Sequence, residues 1–146
     1  MLFPKKVKHR KWFTMRQHPV KEAAHADTRG IKLTFGSFGL KALEYARVTS
    51  NQIEAARKVT MHHAGKTGKV WIRVFPDHPY TQKPAEVKMG KGKGDPVGFI
   101  AEVKPGRIVF EIDGVDEATA RQAFNLGAQK LPGLTRFIVR PDYTAD

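Results

Sequence analysis

The sequence predicts an α+β fold in one domain, with a mixed or antiparallel sheet and two main helices. Three observations lead there. The chain has 146 residues, 40% of them apolar, enough for one ordinary domain with a real core. Its apolar periodicity is helical in only two places. Strand-like segments come in adjacent pairs as often as they alternate with helices, which does not suit a doubly wound parallel sheet. A basic extension over residues 1–30 precedes the domain, 31–146, which carries a long loop over 76–95.

The first two strands are expected at Ile31 to Phe35 and Leu40 to Val48, with Gly36-Ser-Phe-Gly39 as a tight turn between them. A helix follows. Thr49 with Gln52 three residues on forms a capping box, and Ile53, Ala56, Val59 and Thr60 make the buried face, leaving Arg57 and Lys58 outside. Gly65 and Gly68 end it.

Lys69 to Phe75 is the strongest strand signal: Val70, Ile72 and Val74 share one face, Trp71, Arg73 and Phe75 the other. Apolar on both faces, it is expected at the centre of the sheet. Pro76, Pro79 and Pro84 then break regular structure, giving the long loop, and Glu86 to Met89 leads into a glycine run.

Val97 to Val103 and Arg107 to Ile112 are expected to pair as a hairpin across Lys104-Pro-Gly106. The second helix starts from Asp116 as N-cap, with an apolar stripe of Ala120, Ala123, Phe124, Gly127 and Leu131. Pro132-Gly133 stops it before a last strand, Leu134 to Arg140. Both helices should cover one side of the sheet and leave another surface for the basic segments.

The net charge is +12, which the fold cannot neutralise internally. Nucleic acid is the first candidate partner and an anionic membrane surface the second. The excess is segregated: residues 1–35 carry +7, 36–65 carry +2, 66–94 carry +5 and 95–146 carry −2. No cysteine occurs, so disulfides and thiolate metal sites are excluded. The sequence contains neither a signal-peptide pattern nor an apolar run of membrane-spanning length, so a soluble intracellular protein is expected.

The basic extension interleaves Lys5, Lys6, Lys8, His9, Arg10, Lys11 and Arg16 with Trp12 and Phe13, with no period that would bury one face. On one reading cations meet phosphates while an aromatic ring stacks on a base. On the other it is a solubilising tail whose aromatics pack back on the domain.

Met89-Gly-Lys-Gly-Lys-Gly94 fails as a nucleotide-binding motif: its glycines alternate strictly and lead into Asp95-Pro96 rather than into a helix. Gly90, Gly92 and Gly94 would instead let the backbone lie close to a nucleic-acid backbone while Lys88, Lys91 and Lys93 bring charge. A flexible linker with scattered lysines is the alternative. His62-His63 is a poor metal site, because adjacent helical side chains point about 100° apart and no carboxylate stands at ligand spacing. The acids Glu111, Asp113, Asp116 and Glu117 cluster at a turn and helix start, and the last two are explained by capping. No acid–base or nucleophilic constellation stands out, so no enzymatic activity and no cofactor are expected.

Met1-Leu-x-Pro-Lys, Phe35-Gly-Ser-Phe-Gly-Leu-Lys-Ala-Leu43, Gln52-Ile-Glu-Ala-Ala-Arg57, Gly68-Lys-Val-Trp-Ile-Arg-Val-Phe-Pro-Asp77, Lys83-Pro84 and Met89 to Gly94 together resemble the bacterial large-subunit ribosomal protein L-sixteen family. The match continues through Lys104-Pro-Gly106, Gly114-Val115 and Ala128-x-Lys-Leu-Pro132. The resemblance implies an α/β-hammerhead type of fold and a place on the ribosome, in the cytoplasm or in an organelle. It also implies binding to large-subunit rRNA near the peptidyl transferase region, contacts with A-site and P-site tRNA, neighbouring ribosomal proteins as partners, and no membrane.

By position it assigns the RNA-reaching parts to Lys5 through Arg16 and to Lys88 through Lys93. Arg57, Lys58 and Arg73 join the expected rRNA contacts, and Lys83 joins the loop. Two departures stand out. Lys88 occupies a place where the family commonly has an arginine that some bacteria hydroxylate, so that modification is not carried over. The segment from Met15 to Ile31 also differs from the usual glycine- and arginine-rich arm.

Overall fold

The computed structural model describes residues 2–13 and 25–142. Seven strands and two helices follow in the order β1 (Phe38–Ala42), β2 (Ala46–Thr49), α1 (Ser50–Ala64), β3 (Lys69–Ile72), β4 (His78–Gln82), β5 (Asp95–Val103), β6 (Ile108–Asp113), α2 (Glu117–Ala128) and β7 (Thr135–Val139). The α+β class and the two helices are as expected. The strands form two antiparallel sheets, however: four strands ordered β3-β6-β1-β7 and three ordered β2-β5-β4.

Both helices pack on one face of the four-stranded sheet. Phe38, Leu40 and Ala42 of β1 point to that face, in register with Ile112 and Phe110 of β6 and with Phe137 and Val139 of β7. There they join Ile53 and Ala56 of α1 and Ala120 and Phe124 of α2 in one buried cluster. The capping box forms as the sequence predicts: the Gln52 amide donates to Thr49 Oγ1 (3.3 Å) and the Thr49 amide to Gln52 Oε1 (2.9 Å). Asp116 caps α2 by accepting from the Thr119 amide at 3.1 Å. The helices cross closely at Thr60, fully buried, and Gly127, where a Cβ would lie 2.4 Å from Thr60 Oγ1.

Five expectations need correction, each for a physical reason. Leu40 to Val48 is not one strand but parts of two, β1 and β2, in different sheets; the Leu43 amide donates to Leu134 O (2.9 Å) where the chain crosses over. The strand therefore begins inside the expected turn, at Phe38.

β5 and β6 do not pair as a hairpin. The turn is present, with the Arg107 amide donating to Lys104 O (3.2 Å) and Gly106 at φ +94°. Beyond it, Gly106 and Arg107 exchange hydrogen bonds of 2.8 Å with Ala42, so β1 captures the chain that β5 would have held.

β3 lies at an edge, not at the centre. Its two apolar faces are explained by coverage from both sides, by α1 on one and by the segment before β1 on the other. The expected loop 76–95 contains β4, whose Pro79 is tolerated because β4 is an edge strand with no need of that amide.

Ile31 to Phe35 forms no strand. Its backbone is held by a carboxylate instead: Glu111 of β6, with no solvent exposure, accepts from the amides of Thr34 (3.1 Å), Phe35 (2.6 Å) and Gly36 (2.8 Å) and from Arg73. Nearby, the Ile108 amide donates to Gly30 O (2.9 Å), and Arg107 ion-pairs with Asp27 at 3.4 Å. The segment 25–36 is thus strapped over the sheet face opposite the helices.

Candidate nucleic-acid interface

The three-stranded sheet positions the glycine-lysine segment. β4 and β5 pair from His78 with Ile100 to Gln82 with Asp95, with a register shift after Tyr80, so the residues between Gln82 and Asp95 are the tip of a hairpin. Gly94 sits at its base, where a Cβ would lie 2.8 Å from the Gln82 carbonyl; only a glycine lets the two strands approach there. Gly90 and Gly92 have a different reason. Each has φ +97°, with Lys91 between them at +56°, and a Cβ on either would touch nothing. The backbone conformation, not crowding within the protein, requires them. Lys83 donates through Nζ to Gly90 O and clasps the loop across its width.

The same hairpin holds the basic arm. Lys11 Nζ donates to Lys93 O (3.2 Å) and lies 3.6 Å from the Asp95 carboxylate. In return Lys93 Nζ donates to Trp12 O. Trp12 packs edge-on against His78 of β4, ring centroids 5.1 Å apart and planes at 80°. Two segments separated by about eighty residues of sequence thereby form one continuous surface.

Trp12 thus packs back on the domain, while its neighbour Phe13 is 95% exposed. Met89, at the loop tip, is 94% exposed. Lys5, Lys6, Lys8, His9 and Arg10 along the arm, and Lys88 and Lys91 on the loop, are all exposed, and none has an ion pair among the described residues. Arg16 lies outside the described residues.

The remaining expected contacts are placed elsewhere. Arg57 is engaged by Glu54 of its own helix through hydrogen bonds of 2.9 and 2.6 Å. That bond holds the Glu54 carboxyl below its ordinary value and raises Arg57. Lys58 beside it is exposed. Arg73 is committed inward to Glu111, and its guanidinium lies 5.0 Å from the centre of the Phe35 ring. Its sequence position marked a cation on a strand face but not the buried carboxylate across the sheet.

His62 and His63 stand edge to face in the last turn of α1, 5.4 Å apart. Among the described residues no group of three or more histidines and carboxylates is arranged to hold a metal ion. Among the same residues no helix is long and apolar enough to cross a membrane.

Comparison with known proteins identifies the family. The chain is 56% identical over 144 residues to a protein of Cereibacter sphaeroides named large ribosomal subunit protein uL16, covering 98% of this chain and all of that one. It is 57% identical over 140 residues to the protein of the same name in Azorhizobium caulinodans, covering 96% of this chain and 98% of that one. The family described as ribosomal protein L16p/L10e matches residues 4–138. With a match over nearly its whole length, the chain belongs to the ribosomal protein L16p/L10e family.

Proposed function

We propose that this chain is a structural constituent of the large ribosomal subunit that holds rRNA on the surface shared by its basic arm and its glycine-lysine hairpin. Membership of a family of ribosomal proteins makes it a component of a ribonucleoprotein and not an enzyme. The observation that carries the site assignment is the Lys11–Lys93 and Lys93–Trp12 clasp, which merges two strongly basic segments of the chain. Lysines and arginines gathered on one face gain from releasing counterions condensed on RNA, and the solvated Phe13 ring is free to stack on an unpaired base.

The finer reading follows the family resemblance: attachment near the peptidyl transferase region, with the hairpin tip, Lys88 through Gly94, facing A-site and P-site tRNA. Neighbouring large-subunit proteins complete the list of partners. A lysate run on a sucrose gradient, with a salt wash of the large-subunit peak, tests the reading. Co-migration that survives moderate salt is the expected result. Presence only among free proteins would overturn it.

A further inference from the structure

A second surface, remote in sequence from the arm and hairpin tip, has the composition of a base-stacking platform. Phe35 and Trp71 lie nearly parallel, 19° apart with ring centroids at 6.1 Å, on the sheet face opposite the helices. The two rings form an offset stack, with Phe35 the more exposed of the pair. Phe35 is 53% exposed, and Phe75, two positions beyond Arg73 on the same strand path, is 49% exposed. A core would bury such rings, yet about half of each stays open to solvent.

The pair is flanked by cations, and the backbone that carries Phe35 is held by its amide, which donates to Glu111 at 2.6 Å. Lys69 Nζ stands 5.1 Å from the Trp71 ring centre, and the Arg73 guanidinium 5.0 Å from that of Phe35. The Glu111 carboxylate is fully buried and saturated, and Asp113, opposite Lys69 in the sheet, accepts from the Ser37 hydroxyl at 2.8 Å. Lys69 is therefore the exposed charge beside the rings.

We infer that Phe35 and Trp71, flanked by Lys69 and Arg73, form a second RNA contact, on which an unpaired base of rRNA stacks while Lys69 meets its phosphate. Flat exposed rings give stacking energy with any base, and adjacent cations favour a polyanion over an apolar protein surface. The inference rests on the ribosomal reading above.

The test is photo-crosslinking from two positions in assembled large subunits. One chain carries p-benzoylphenylalanine in place of Phe35, and the other carries it in place of Met89 at the hairpin tip. Crosslinks from both positions to rRNA are the expected result. RNA crosslinks from position 89 with only protein adducts, or none, from position 35 would overturn the platform and leave the proposed function standing. No RNA adduct from either position would overturn both. In parallel, Phe35→Leu should weaken binding of the full chain to large-subunit rRNA roughly tenfold, while Phe35→Tyr keeps it. Equal affinity of all three chains would also overturn the platform.

Discussion

Glu111 and Arg73 form a buried ion pair across adjacent strands, and the same carboxylate anchors the backbone of residues 34–36. An isolated carboxylate at zero exposure would be costly; three amides and one guanidinium satisfy it here. Its arrangement fixes the strap over the sheet and the backbone that carries Phe35.

Removing the negative charge should therefore cost far more than a surface substitution. Glu111→Gln leaves Arg73 without a counter-charge and puts an amide NH2 among donors. We expect a loss of about 3 kcal/mol in unfolding free energy, together with faster hydrogen exchange at Thr34, Phe35 and Gly36. A loss under about 1 kcal/mol, the range of an exposed pair, would show that the pair contributes little.

The helix crossing gives a sharper test. Gly127→Ala gains about 1 kcal/mol of helix propensity, yet its Cβ would lie 2.4 Å from Thr60 Oγ1. The clash should win, with a net loss of about 1–2 kcal/mol. In a Thr60→Ala background the oxygen is gone, and the same substitution should become neutral or stabilising. Equal effects in both backgrounds, measured by urea unfolding, would mean that the helices do not meet at this pair.

Acid should weaken the fold through groups whose carboxyls sit low. The Thr119 hydroxyl, and then its amide, hold the Asp116 carboxyl below its ordinary value, and the hydrogen bond from Arg57 does the same for Glu54. A depressed folded pKa stabilises above the unfolded value, 3.8 for Asp116 and 4.5 for Glu54, and that contribution is lost as pH falls through the folded value. Asp116→Asn keeps a capping oxygen but removes the titration. Its stability should therefore fall less steeply than the parent's below pH 3.8. Identical acid limbs in thermal melts would remove Asp116 from the account.

Much of this was legible from local signals. Both helices, their caps at Thr49 and Asp116 and most of their buried faces follow from spacing alone, because capping and amphipathicity act within a few residues. Sheet partnership was not legible, because it depends on contacts distant in sequence: Ala42 bonding Gly106 and Arg107, or Glu111 bonding Thr34, leaves no periodic trace. Pro79 masked β4, since a proline reads as a break unless the strand is known to lie at an edge. The basic segments were visible as charge, but their union through Lys93 was not. The alternating glycines did signal a special backbone, and Gly90 and Gly92 show that its cause is dihedral angle rather than space.

That union separates two lysines that look equivalent in the sequence. Lys91 is exposed and without an ion pair among the described residues, so Lys91→Ala should remove about one phosphate contact and lower the salt dependence of rRNA binding, d log K/d log[salt], by about 1 in magnitude. Lys93 also donates to Trp12 O, while its own carbonyl accepts from Lys11. Lys93→Ala should lower the slope by more, because the arm loses a tether and its cations no longer sit beside the hairpin, and it should speed proteolytic cleavage near Trp12. Filter binding across a salt series, with limited proteolysis of the free chain, measures both. Equal slopes and equal cleavage rates for the two variants would mean that the arm and the hairpin meet RNA independently, each with its own charge.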